Sequence, residues 1–444
     1  MVRHMADAAP PNASLVSAAL AFRSRDFRRY QLARFIAIVG AEAQSVAVAW
    51  QVYQITHSAA MLGFTGLALF LPGLFCVLPA GHAADRYDRR LLILACYMLQ
   101  FVASGLLFWF SYYGTRHILS IYGVLLLIGL GRAFSGPASS AMVPQLVPKE
   151  HFVNAVTWGA TTFQTANMTG PALGGILFTL PLSGHLASLR GAPIVFLFTM
   201  ATMLTFIALI ASLHIRPGVA DSRAISMKTV LAGLHYVWGA KLLLGSISLD
   251  LFAVLLGGAV NLMPIFASDI LHCGPSGLGI LRAAPSVGAL LVSLMLVFHP
   301  IRRRAGALML TCVGIFGVST ICFGMARSLP LALFALFIVG ASDMISVVVR
   351  SSLLQLATPP EMRGRVSAVN WLFIGASNEF GEFESGVTAY WWGAVRAVVI
   401  GGIGSLMVTG AWAVLFPQLR RADKLTAESL LAASIAENSQ EPVS

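Results

Sequence analysis

The stretch from Phe70 to Phe110, FLPGLFCVLPAGHAADRYDRRLLILACYMLQFVASGLLFWF, decides the fold. Two apolar runs flank a decapeptide, residues 81–90, that holds Asp85, Arg86, Asp88, Arg89 and Arg90. A helix crosses a bilayer with about 20 apolar residues, and each run extends far enough to supply them. Charge confined to so short a knot between two such runs marks a loop at a membrane surface. The alternation recurs along all 444 residues, which are 57% hydrophobic and 11% charged, with mean hydropathy +0.80. A soluble domain carries about 25% charged residues, so this chain needs lipid as its solvent.

The breaks between apolar runs predict an all-α membrane protein of about twelve spans, near 31–54, 60–81, 91–113, 118–142, 152–180, 191–214, 242–271, 276–299, 306–327, 329–356, 365–391 and 394–417. The expected organisation is an N-terminal cytoplasmic segment (1–30), a six-helix bundle (31–214), a linker (215–241), a second six-helix bundle (242–417) and a disordered cytoplasmic tail (418–444). In the linker Ile225, Val230, Leu231, Leu234, Val237 and Trp238 stand beside Lys228 and Lys241, the pattern of an amphipathic helix on a membrane surface. The two halves repeat. Val153-Asn-Ala-Val-Thr-Trp158 follows the fourth span, and Val366-Ser-Ala-Val-Asn-Trp371 follows the tenth. Internally duplicated halves are a common build of secondary transporters, with the substrate site at the repeat interface.

Of the 29 Lys and Arg residues, 22 lie on the side shared with the termini, four on the opposite side and three inside spans. This bias places both termini in the cytoplasm. The first 30 residues carry Arg and no signal-peptide core, so an uncleaved N-terminus is expected. Net charge +11 does not indicate nucleic acid, because the basic residues sit in interrupted clusters between spans. The five cysteines form no metal-ligand spacing, so neither metal nor cofactor is expected. No G-x-x-x-x-G-K-[ST] loop is present to hydrolyse a nucleotide. None of the ten His residues falls in a catalytic spacing, which argues against a membrane enzyme.

Three motifs resemble those of the major facilitator transporters. Gly81-His-Ala-Ala-Asp85-Arg86-Tyr-Asp88-Arg89-Arg90 is similar to the signature of the loop between spans two and three, with Asp88 where Gly is usual. Arg132-x-x-x-Gly136 resembles the buried arginine motif of span four. Gly170-Pro171-Ala-Leu-Gly174-Gly175 resembles the antiporter motif of span five, with Ala166 at its first glycine. Longer phrases, among them GRAFSGPASSAMVPQLVP and MRGRVSAVNWLFIGASNEFGEFESGVTA, are similar to the enterobactin-exporter branch, beside which stand macrolide-type efflux pumps. The resemblance implies a monomeric multi-pass protein of the bacterial inner membrane that exports a small molecule, a catecholate siderophore or hydrophobic drugs, against protons. It also implies that Gly81, Asp85, Arg86, Arg89 and Arg90 latch the cytoplasmic side closed.

Ionisable groups inside a bilayer are costly, so each is a functional candidate. Here they are Glu42, Arg132, Asp250, Arg282, Asp343, Arg350, Glu379, Glu382 and Glu384. Asp250, central in span seven, is a candidate to take a proton from one side and release it on the other, or to contact the cargo; the alternative is an ion pair with an arginine of another helix. Glu42 and Arg132 belong to one half and are a candidate pair, either structural or taking part in proton coupling or in an anionic-substrate site. Asp343 and Arg350, seven apart, share a helix face, either lining a cavity or pairing with another span. Glu379 and Glu382 share a face that Glu384 leaves, past the midplane of their span, and are candidates to face a watery cavity, for proton coupling or cargo; the alternative is that they are solvated near the outer mouth. Thr161, Thr162, Gln164, Thr165, Asn167 and Thr169 mark span five as a cavity wall. Trp50, Tyr53, Phe70 and Trp371 are candidates to stack on an aromatic cargo or to face lipid. For cluster 170–175 a gating hinge is expected, and Arg86, Arg89 and Arg90 are placed to meet anionic lipid.

Overall fold

The computed structural model describes residues 20–114, 117–148, 151–213, 227–258, 260–299, 301, 303–359 and 362–422. The expected N-terminal segment, the first part of the linker and most of the tail lie outside the described residues, as does the side chain of Asp85. Helices dominate what is described. The first six spans are α1 (Arg25–Thr56), α2 (Ala59–Arg86), α3 (Arg89–Tyr112), α4 (Ile118–Leu146), α5 (Phe152–Phe178) and α6 (Ala192–Ala211). The amphipathic helix α7 (Met227–Gly239) leads into α8 (Lys241–Gly257), α9 (Gly274–Phe298), α10 (Ala305–Met325), α11 (Leu329–Ala357), α12 (Arg363–Trp392), α13 (Ala394–Leu415) and the short α14 (Pro417–Arg421).

Ten of the spans are long and apolar enough to cross a membrane, counting α8 with its continuation to Ile270. The remaining two, α5 and α12, have the length but are too polar for that test. They are the two helices that open with the repeated hexapeptides. Both earn a place inside the bundle by packing against apolar neighbours rather than by their own composition.

Packing repeats between the halves. In the first, α1 packs on α5 and α6, α2 on α4, and α3 on α4 and α6. Six spans later, α8 packs on α12 and α13, α9 on α11, and α10 on α11 and α13. The two most extensive packings between halves join α2 with α12 and α5 with α9, and these are counterparts under the same shift. We call the end where α1 begins and α13 finishes basal, and the other distal.

The seventh span breaks the symmetry. Its counterpart α1 runs unbroken for 32 residues, whereas α8 stops at Gly257 and resumes as a turn at Val260–Leu262 and a wide helical turn at Phe266–Ile270. A break inside a membrane leaves backbone groups that neighbours must satisfy. Here Ser385 of α12 donates to the Gly258 carbonyl at 2.7 Å. The broken segment itself reaches out through Asn261, whose Nδ2 donates to the Leu62 carbonyl of α2 at 2.7 Å.

The apolar core divides by depth. At the distal end one cluster runs through both halves, joining Val46, Leu62, Phe196, Leu262, Phe266, Leu278 and Phe323. At the basal end there are two, one around Phe27, Tyr30, Ile93, Met142 and Phe206 and the other around Leu243, Met309, Leu353 and Val366.

Candidate functional site

A cavity of about 360 Å³ lies between the halves, beneath the shared distal core. It takes side chains from α1, α2, α4 and α5 on one side and from the broken seventh span, α9 and α12 on the other. Its charges are Glu42 (α1), Arg132 (α4), Arg282 (α9), Glu379 and Glu382 (α12). Three carboxylates thus face two guanidinium groups.

Local packing aims these groups. Gly66 of α2 leaves the space into which α12 projects its acids: a Cβ there would lie 2.6 Å from Glu382 Oε2 and 3.4 Å from Glu379 Oε2. Glu382 is within electrostatic reach of Arg282, Glu42 and Arg132, so carboxylates of both halves share their cations. Arg282 Nη1 donates to Ser45 Oγ of α1 at 2.7 Å, a bond across the halves. Gln44, also in the wall, accepts from Ser104 Oγ at 2.7 Å and is held by it. Asn167 Oδ1 is buried in the wall without a partner, an acceptor free for a ligand. Glu384 turns aside and accepts from Thr388 at 2.6 Å.

None of the described residues lining the cavity is aromatic. Trp50 meets Phe178 edge-on with ring centroids 6.5 Å apart, and Phe70 meets Phe380 at 5.3 Å. Tyr53 donates to Asp269 across the halves and contacts His57. The side chain of Trp371 lies outside the described residues. Of the span-five polar residues, Asn167 faces the cavity, while Thr161, Thr165 and Thr169 bond back to carbonyls four residues earlier in α5.

Asp250, Asp343 and Arg350 form a separate cluster within the second half. Asp250 and Arg350 make an ion pair, and Asp343 is within electrostatic reach of both. The two carboxylates line a much smaller space together with Ser342, Ser346 and Phe316, apart from the larger cavity.

The two loop-proximal motifs have distinct local roles. Asp88, standing where Gly is usual, caps α3: its Oδ1 accepts from the backbone N–H of Arg90 at 2.8 Å and of Leu91 at 3.3 Å. Arg90 reaches the Ala211 carbonyl at the end of α6, inside the same half. In α5 the glycines serve two faces. A Cβ on Gly174 would lie 2.7 Å from the Ala43 backbone of α1, and one on Gly175 would lie 2.7 Å from the Pro275 carbonyl of α9. Gly170 packs on Glu42 and Val39, and the Pro171 carbonyl abuts Gly279 of α9. Backbone therefore meets backbone on both sides of α5, which itself continues unbroken.

Arg282 and Asn261 carry contacts for which the sequence assigned no role. Arg282 stood out only as an ionisable residue within a span. For Asn261 the available signal is Gly257-Gly258 before it and Pro264 after it, which together interrupt an apolar run.

Twelve spans in two matching sets about a charged cavity define a secondary transporter of the major facilitator type. The chain belongs to the family described as transmembrane secretion effector, which matches residues 16–440. It is 28% identical over 386 residues to the enterobactin exporter EntS of Citrobacter koseri, covering 86% of each chain. The same figures hold for the enterobactin exporter EntS of Shigella boydii serotype 4. Among solved structures, a bacterial homologue of the human lysosomal transporter Spinster, inward-facing and unoccupied, matches with a TM-score of 0.70 at 14% identity, over 93% of this chain and 98% of that one. The D-xylose–proton symporter matches with a TM-score of 0.65 at 15% identity, over 91% of this chain and 98% of that one. These structures share the fold.

Proposed function

We propose that the protein is a proton-coupled exporter of a small molecule, working by alternating access in a bacterial inner membrane, with its basal end and both termini in the cytoplasm. Cargo enters the cavity between the halves from the basal side. The halves then rock about it, so that the distal seams part and the basal end closes. The observation that carries this reading is the cavity itself: it is charged, assembled from both halves, and lies beneath a distal core that the halves share. The latch residues Gly81, Asp85, Arg86, Arg89 and Arg90 would serve the basal closure and meet lipid headgroups there, in a chain acting as a monomer.

A catecholate-type siderophore is the first cargo, supported by the enterobactin exporters among the relatives. Catechol hydroxyls would donate to Glu379 and Glu382, and Arg132 and Arg282 would hold acidic oxygens. A second reading, multidrug or macrolide-type efflux, is favoured by a specific feature. The cavity has one more carboxylate than guanidinium and no aromatic among its described lining residues, which suits a cation better than a stacked ring.

The test is secreted siderophore from an iron-starved host that makes a catecholate but lacks its own exporter. Recovery of the extracellular compound with this protein, and its loss in Glu382→Gln, supports catecholate export through this cavity. No recovery from verified membrane protein, with restored resistance to cationic dyes, moves the cargo to the second reading. Neither effect sinks export altogether.

A further inference from the structure

The cluster outside the main cavity has an unbalanced charge. Asp250 of α8 is 6% exposed and Arg350 of α11 is 2% exposed, and the two are ion-paired. Asp343 lies two turns from Arg350 on the same face of α11. Two carboxylates therefore share one guanidinium. Among the described residues the helices around them bring no second cation to the pair: Lys241, Arg365 and Arg396, near the ends of α8, α12 and α13, are exposed. The sequence of α10 has no charged residue, and the only charged residue of α9 is Arg282, which lines the other cavity. From α12, Glu379 and Glu382 also face that other cavity. A net charge confined among apolar helices is costly, and taking up a proton removes it.

A second, independent observation points to the same place. The space bounded by Asp250, Ser342, Asp343 and Ser346 measures about 10 Å³, which is the room one water needs. Ser346 is 2% exposed, and its hydroxyl, at that space, has no partner. Ser342 is already committed, donating to the Ile338 carbonyl at 2.8 Å. A water seated there would meet Ser346 and both carboxyls, enough partners to hold it.

We propose that Asp250 and Asp343 hold one proton between them, beside one bound water, in a site separate from the cargo cavity. The proton adds to a carboxylate oxygen and leaves the cluster neutral, with Arg350 paired to the other carboxylate. In its use this deepens the reading as a proton-coupled exporter. The proton and the cargo then do not compete for the same carboxylates. Coupling passes through α11 and α8, which pack on the helices that line the cavity, α9 and α12.

Infrared difference spectroscopy on the full chain in phosphatidylethanolamine–phosphatidylglycerol vesicles, between mildly acidic and mildly alkaline buffer, tests it without any cargo. The expected result is a protonated-carboxyl band that loses one carboxyl's share in Asp343→Asn, regains it in Asp343→Glu, and persists in Glu379→Gln and Glu382→Gln. Thermal unfolding of Asp343→Asn should match or exceed that of the native protein, because a neutral amide replaces a neutral acid. A band that survives both Asp343→Asn and Asp250→Asn overturns the proposal. So does an Asp343→Asn protein that melts lower, as one needing the charged form would. Failure of both siderophore secretion and dye resistance with this band intact would sink the transport reading and leave the proton site.

Discussion

The distal and basal ends of the bundle are built by different rules. At the distal end the halves share one apolar core, and small residues bring backbone onto backbone: Gly175 against Pro275 and Gly279, and Gly63 against Gly386. Polar bonds add to this, from Arg282 to Ser45, from Tyr53 to Asp269 and from Asn261 to Leu62. At the basal end each half keeps its own core, and Arg90 and Asp88 bond within their half. The lesson is that each half carries its own apolar core at the basal end, while the contacts that join the halves gather at the distal end. Interiors packed this tightly switch between discrete arrangements rather than deform.

Substitutions separate the two kinds of contact. The largest loss of stability is expected from Arg350→Ala, which strips a buried pair inside one half and costs about 3–5 kcal/mol. Thermal unfolding in detergent should fall steeply. An unchanged midpoint would mean that the second half does not depend on this pair.

Next comes Gly175→Leu, which wedges the distal seam and should destabilise the distal-closed state by about 1–3 kcal/mol. The readout is labelling of Cys273, half-buried at the distal start of α9, in a background without the other cysteines. Its maleimide reaction should speed up about thirtyfold at the middle of that range, since about 1.4 kcal/mol corresponds to a factor of ten. An unchanged rate would show that the seam does not set the conformational balance.

Tyr53→Phe removes one cross-half hydrogen bond to a carboxylate and should move the same labelling rate in the same direction, by about 1 kcal/mol or a few-fold. Smallest is Asp88 at the basal end. Asp88→Ala removes the cap of α3 and should cost about 1 kcal/mol of stability, while Asp88→Gly should cost only a few tenths. Neither should change Cys273 labelling, and a change would couple the loop motif to the distal seam.

Most of the fold could be read from the sequence because lipid imposes a simple code: an apolar run of bilayer length must be a helix. The repeat at Val153–Trp158 and Val366–Trp371 also marked which two spans correspond. The break of the seventh span was less legible, since an apolar run containing Gly257-Gly258 and Pro264 reads as one continuous span until its partners Ser385 and Leu62 are known. The site was legible as a set of costly charges, but its grouping was not. Nothing in spacing says that Glu42 and Arg132 share a cavity with Arg282, Glu379 and Glu382 while Asp250 joins Arg350 elsewhere. That partition depends on which helix faces which, and residues distant in sequence decide it.

The polarity of α5 and α12 has a consequence for how the protein is made. Translocon insertion scales charge about 2.5 to 3.5 kcal/mol for an acidic or basic residue at the centre of a helix, and α12 brings Glu379, Glu382 and Glu384. Neither span is apolar enough to partition into lipid by itself. Each has apolar neighbours made before it, α1 for α5 and both α2 and α8 for α12. Biogenesis must therefore hold the nascent α12 until those helices can receive it. A ribosome-stalled chain long enough for α12 to have left the exit tunnel should insert α12 poorly when α2 is missing, so the contact that joins the halves would also draw the last polar helix out of the translocon.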